Sequence, residues 1–293
     1  MKQKDAYLIL AHKSDYCFYK LIESLDSDYC DIYIHMDKKN KKFVEEDIKK
    51  IVKKSNVYFV KRQNCNWGGF SLVKAELTLL KEAVKNDYRY YHLISGQDLP
   101  LKSQKEIYEF FGKNNLLYID IQQEKFNFQD RVKYYYPLQD VLGRKTITNI
   151  FYKLIAKCCF KFLKLIKVNR IKGKCFQKGN QWFSITNDFA KYIVENEKNI
   201  KKMFKNTFCS DELFIQTMLI NSSFKDKLYS NVYNEPKESI KRNIDWNRGG
   251  PYVWKKEDYE ELINSDTLFA RKFDSEQDRE IIDLICKHVK DGK

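Results

Sequence analysis

Tyr90-Tyr91-His92-Leu93-Ile94-Ser95-Gly96-Gln97-Asp98-Leu99-Pro100-Leu101-Lys102-Ser103 reads as an apolar strand that stops at a polar turn. Tyr91, Leu93 and Ile94 suit a strand interior, Ser95-Gly96 breaks it, and Asp98 is left at the carboxyl end just before Pro100. Ligands of open α/β sheets bind outside the carboxyl ends of the strands. Asp98 is therefore either a site residue or a turn aspartate closing its own backbone amides.

The flanking pattern decides the fold class. Residues 6–11 form a continuous apolar run that ends at His12-Lys13-Ser14-Asp15, and residues 31–36 form a second that ends at Asp37. A third strand is expected at residues 57–60. Helical spacing separates them: residues 16–25 with Ser14 or Asp15 as N-cap, residues 38–54, and residues 72–84 with Val73, Leu77, Leu80 and Val84 on one face. A further helix follows Ser103. Alternating strands and helices give βαβ units, so the fold class is α/β with a mostly parallel, Rossmann-like sheet. Gly-x-Gly-x-x-Gly and Gly-x-x-x-x-Gly-Lys-Ser/Thr are both missing, which weakens the dinucleotide and P-loop readings.

Downstream, Gly179 to Thr186 reads as a turn and a short strand, followed by a helix capped by Asn187. Cys209-Ser210-Asp211-Glu212 reads as a helix start with Ser210 as N-cap. Asp211 and Glu212 then lie in the first turn, where the helix dipole favours carboxylates. Two more helices are expected, near residues 256–264 and at the C-terminus. No linker or internal repeat is visible, so residues 1–293 parse as one domain.

The chain carries 54 basic and 40 acidic residues, a formal charge of +14. This predicts an anionic partner: nucleic acid, a phosphorylated ligand or an acidic membrane. Its eight cysteines include no Cys-x-x-Cys pair, and only four histidines occur, which argues against structural zinc and for reduced cysteine. No run of ~18 apolar residues suggests a membrane span. The apolar run near the N-terminus is too short for a signal peptide. No helix-turn-helix, zinc-finger or ribonucleoprotein signature supports a nucleic-acid partner.

Charge concentrates in one segment. Residues 141–187 hold eleven Lys or Arg and no acidic residue. Lys153, Lys157, Lys161, Lys164 and Lys167 fall on one helical face, with Ile150, Phe151, Leu154, Ile155, Phe162 and Ile166 on others. A basic amphipathic insertion at 144–178 is read here. It suits an anionic membrane surface, a solvated face or nucleic acid.

Eight blocks occur together in register: Ala6–His12, Tyr33–Asp37, Trp67–Ala75, His92–Ser103, Gly179–Phe183, Ser210–Glu212, Ile244–Trp246 and Leu268–Asp274. In these the chain resembles the core-2/I-branching glycosyltransferases and peptide O-xylosyltransferases, glycosyltransferase family 14. The tail is closest to the xylosyltransferase branch, and the Ser-Asp-Glu block to the branching N-acetylglucosaminyltransferases. The resemblance implies a GT-A fold and inverting transfer from a UDP-sugar to a glycan hydroxyl without a metal or other cofactor.

Position by position, the resemblance implies Glu212 as catalytic base and Lys272 as the diphosphate-binding lysine. Asp98 is the other credible acid. The second cation is Arg248, Arg271 or Arg242. His12 and Asp37 should form the uridine pocket. Trp67, Trp182 and Trp246 are candidates for stacking on sugars, with Gln97 and Asp211 also on the acceptor side. The metal-binding Asp-x-Asp of other GT-A enzymes is replaced by Gly96-Gln97-Asp98, and the literal Asp26-Ser27-Asp28 reads as a helix-end turn. Animal members have an N-terminal anchor and disulfides, and neither is read here. The expectation is a bacterial cytoplasmic enzyme acting on a lipid-linked surface glycan, held at the inner leaflet by the insertion.

Overall fold

The computed structural model describes residues 3–122, 128–143, 150–165, 170 and 175–291. Strands β1 (Asp5–Ala11), β2 (Cys30–Met36), β3 (Val57–Phe59) and β4 (Tyr90–Ser95) are parallel and stand in the order β3-β2-β1-β4. With β5 (Asp98–Pro100) in a second sheet, β6 (Tyr118–Ile119) and β7 (Phe183–Thr186) complete the first, β7 running antiparallel to both β4 and β6. The α/β expectation with a mainly parallel sheet therefore holds. Strands β8 (Arg242–Ile244) and β9 (Phe269–Arg271) join β5 in the order β5-β9-β8.

Continuous apolar strands are what a sheet covered on both faces requires. Alternate residues supply the two faces. Ala6, Leu8, Tyr91 and Leu93 pack with Val73, Leu77 and Leu80 of the helix Phe70–Ala83 and with Phe189 and Ile193 of the helix Asn187–Glu195. Tyr7, Ile9, Tyr90 and Ile94 pack on the other side with Leu21 of the helix Tyr16–Leu25 and Ile285 of the helix Glu280–Asp291. Burying each such Leu, Ile or Phe contributes about 1.5–3 kcal/mol, so the two faces dominate stability.

Local signals set most boundaries. Asp15 caps its helix, accepting from the Phe18 N–H at 3.1 Å. Asp26 ends that helix and accepts the N–H groups of Lys53, Lys54 and Ser55, so Asp26-Ser27-Asp28 is a turn, as expected. Two caps differ from expectation. Thr186, not Asn187, occupies the N-cap position of the helix Asn187–Glu195. Ser210–Glu212 is a separate 3-10 turn entered through Cys209 at φ 48°, and the α-helix starts only at Phe214. Ser210 therefore does not cap that helix, and the two carboxylates owe nothing to its dipole.

Of the basic insertion, 144–149, 166–169 and 171–174 lie outside the described residues, as do the side chains of Ile150, Phe151, Lys153 and Lys164. The expected helix exists at Ile150–Leu165. Lys157 and Lys161 are exposed on it, but so are Leu154, Phe162 and Leu165, the last at 78%. Apolar and basic side chains share the outer surface rather than dividing it. Among the described residues no helix is long and apolar enough to cross a membrane.

Candidate active site

The carboxyl ends of β1, β2 and β4 lie side by side. Asp37 N–H donates to Ala11 O at 2.8 Å, and Gly96 N–H donates to Leu10 O at 3.0 Å. Gly96 is required there, since a Cβ would stand 2.9 Å from the Ala11 Cβ. Just beyond these ends, a cavity of about 480 Å³ is lined by His12, Lys13, Asp15, Asp37, Lys39 and Lys42, among others. Asp37 is buried and accepts the Lys39 N–H at 2.9 Å, with the Lys39 Nζ at 3.3 Å. His12 is pulled below the ordinary histidine value by partial burial of its ring and by the charges of Lys272 and Lys13. Lys272 thus stands close enough to disfavour the charged form of the imidazole.

The second sheet assembles the next layer. Its register puts Asp98 directly opposite Arg271, and their ion pair spans 3.2 Å. Asp98 is only 1% exposed. It also accepts the Ser95 N–H at 3.0 Å and Ser95 Oγ–H at 2.5 Å. The turn-closing role is thus the one seen: the carboxylate is sealed, braces the turn and pairs with Arg271. The Arg271 guanidinium lies 4.3 Å over the Trp182 ring. Burial draws it below its ordinary value, with Asp98 opposing. Gln97 is buried too. Its Nε2 donates to Phe273 O at 3.3 Å, and its O accepts the Phe273 N–H at 2.9 Å, which pins the Lys272 loop to the β4 turn.

Residues 178–182 bridge this layer to the 3-10 turn. Gly179 N–H donates to Glu212 O at 3.0 Å, and Gly179 packs so close to Asp120 that a Cβ would stand 1.8 Å from the Asp120 O. Glu212 meets Arg131 Nη1 at 2.7 Å and Lys178 Nζ at 3.8 Å. Both cations lie on Oε2. Oε1 has no hydrogen-bond partner among the described residues, and the side chain is 36% exposed. Asp211 points inward instead. Its carboxyl is pushed up to about 7, chiefly by burial and then by the Glu212 charge, and its Oδ1 is unpartnered. Glu76, fully buried on the helix Phe70–Ala83, is raised well above the carboxylate range by burial and by Asp211, and accepts from Gln181 Nε2 at 2.7 Å.

A model of the family described as "Core-2/I-Branching enzyme" matches residues 6–267. The chain belongs to the Core-2/I-branching enzyme family. This is a glycosyltransferase family, as the resemblance implied. Among curated members the chain is similar to rat xylosyltransferase 2, 23% identical across 97% of this chain and 33% of that protein. It is also similar to the xylosyltransferase sqv-6 of Caenorhabditis briggsae, 24% identical across 86% of this chain and 32% of that protein. The chain thus spans about a third of the length of these relatives. Among solved structures, mouse xyloside xylosyltransferase 1 overlaps 92% of this chain and 97% of its own at 6% identity, with a TM-score of 0.36.

Within this member of the family, the other expected residues are placed as follows. Arg248 is bound by three carboxylates, Asp245, Asp258 at 2.6 Å and Glu261 at 3.2 Å, and stacks 4.2 Å over Tyr252. Arg242 is fully buried, donates to Leu93 O and Phe183 O, and is drawn down to about 10 by burial. Trp182 is buried under Arg271, whereas Trp67 and Trp246 are 45% and 53% exposed. Trp67 packs edge-on against Phe208, and Gly68 O accepts the N–H of Cys209, beside the 3-10 turn. Sequence reasoning missed Arg131, Lys178, Glu76 and Gln181. Lys178, Gln181 and Glu76 lie inside or beside a matching block, but nothing in the sequence marks Arg131. Among the described residues no group of three His, Cys, Asp or Glu side chains is placed to hold a metal ion.

Proposed function

We propose that the chain is one catalytic domain that transfers a sugar, xylose or N-acetylglucosamine, from a UDP-sugar to a glycan hydroxyl with inversion and without a metal. The observation that carries the reading is the split use of the Glu212 carboxylate. Oε2 is held by Arg131 and Lys178, and Oε1 has no hydrogen-bond partner among the described residues. In an inverting transfer the acceptor oxygen attacks the anomeric carbon as a base removes its proton. Oε1 takes that proton while Arg131 and Lys178 fix the orientation. Uridine occupies the strand-end cavity, with Asp37 accepting the uracil imide N–H and His12 beside it. The bond from the anomeric carbon to the diphosphate breaks, and negative charge grows on the leaving UDP. Lys272 stabilises it, and Arg271, oriented by Asp98, adds positive charge behind it. Trp67 and Trp246, being open, are better suited to acceptor sugars than Trp182.

The relatives named xylosyltransferases make UDP-xylose the first donor to test, with UDP-N-acetylglucosamine second. The acceptor is read as a lipid-linked surface glycan at the inner face of a cell membrane, approached through the basic insertion. Support comes from the exposed Leu154, Phe162 and Leu165 among exposed lysines. Thermal unfolding with UDP, UDP-xylose, UDP-N-acetylglucosamine, GDP and CMP in EDTA tests the donor site. Uridine-selective stabilisation, lost in Lys272→Ala, is expected. A wild-type protein indifferent to every uridine nucleotide overturns the reading.

A further inference from the structure

A second cavity, of about 450 Å³, lies away from the strand ends. Tyr135, Tyr136, Pro137, Leu138 and Phe160 form its apolar walls, and Lys157 and Lys161 stand on it. Among the described residues no carboxylate lines it. The size falls within the ~300–1,000 Å³ usual for small-molecule sites. We infer that this cavity binds the chain of a phosphorylated single-chain lipid that carries the acceptor glycan, with Lys157 and Lys161 on the phosphate.

Three observations converge. The wall chemistry is divided as such a lipid is, into hydrocarbon and anion. The same helix exposes Leu154, Phe162 and Leu165, which a surface facing only water does not favour. The cavity also connects to the proposed base through packed rings. Tyr136 lies 5.6 Å from Phe208, Phe208 lies 5.5 Å from Trp67, and the Arg131 guanidinium, bonded to Glu212, is 5.6 Å over Phe208. The wall residue Gln139 donates to the Trp67 O at 3.0 Å. A tail seated in the cavity leaves its sugar-bearing end beside Trp67 and Glu212. The inference rests on the glycosyl-transfer reading for the word acceptor, but the cavity's occupant is tested separately.

Cys159 lines the cavity, while its neighbour Cys158 and Cys175 are exposed. Alkylation of each cysteine by N-ethylmaleimide, followed by mass spectrometry, therefore reports occupancy with internal controls. Geranylgeranyl monophosphate below its micellar concentration should slow labelling of Cys159 several-fold and leave Cys158 and Cys175 unchanged. Geranylgeraniol should protect more weakly, and inorganic phosphate not at all. Leu138→Trp, which fills the cavity, should raise the lipid concentration needed for half-protection at least ~10-fold by excluding the chain's apolar contact. The double variant Lys157→Glu/Lys161→Glu should erase the preference for the phosphate over the alcohol. Unchanged Cys159 labelling in wild type overturns the inference. So does equal protection of Cys158 and Cys159 by phosphatidylglycerol vesicles without any effect of the soluble lipid, which is surface contact alone. Stabilisation by UDP in the same samples separates the readings. UDP binding without Cys159 protection sinks the cavity and spares the enzyme, and the reverse result sinks the enzyme and spares the cavity.

Discussion

Asp98 and Glu212 are both acids at the ends of apolar elements, and they are used in opposite ways. Asp98 is sealed, its oxygens committed to Ser95 and to Arg271. Glu212 is tied by one oxygen, and the other has no partner among the described residues. A buried, saturated carboxylate holds geometry because any loss leaves its partners uncompensated. A half-open one leaves room for a substrate atom to bind, which is why Glu212 is the base we propose. The difference teaches that the acid nearest a strand end is not by position alone the reagent.

Replacing each acid by its amide puts the comparison at risk. Glu212→Gln should lower kcat about 10²–10⁴-fold, the usual contribution of a general base, with little change in the UDP-induced rise of melting temperature. Asp98→Asn should act chiefly on stability. It leaves Arg271 buried without its counter-charge, which should cost about 3–5 kcal/mol in denaturant unfolding. If Asp98→Asn folds normally and is as inactive as Glu212→Gln, the roles assigned above are reversed.

Lys272→Ala should remove most of the stabilisation by UDP, which for wild type reaches about 2.7 kcal/mol at a hundredfold excess over Kd. Asp211 sharpens the contrast through pH. Its native value, about 7, stands above the ordinary 3.8. The native state therefore holds a proton that the unfolded chain has lost, and stability falls as pH rises between these values and stays lower above them. Asp211→Asn should match wild type near pH 4 and be more stable at pH 8, by a few kcal/mol at most. The smallest effect is expected from Arg248→Ala, whose surface ion pairs are worth less than about 1 kcal/mol and whose loss should leave UDP binding unchanged.

How much of this was legible in the sequence depends on the range of the signal. Strands β1, β2 and β4 were readable because a sheet covered on both faces demands unbroken apolar runs. The 3-10 turn was not. Ser210-Asp211-Glu212 has the composition of a helix start, and only Cys209 in the left-handed region, held through its N–H by Gly68 O, detaches it from the helix behind. Glu212 was found through the resemblance. Arg131, its closest cation, lies 81 residues away in a segment with no matching block. Arg248 showed the converse. It lies two residues past a matching block, and Asp245, Asp258 and Glu261 converge on it, a tertiary fact no local pattern carries.

The latch between Gln97 and Phe273 joins residues 176 positions apart. The parallel strands all precede β9, so their pairing needs neither Arg271 and Lys272 nor the Arg271 partner of Asp98, although the helix Glu280–Asp291 that covers one face of the sheet also comes later. Pairing over such a separation is slow, because loop closure precedes its reward. A chain cut short before β9 would keep the parallel strands but lack Arg271 and Lys272, the two cations proposed for the diphosphate.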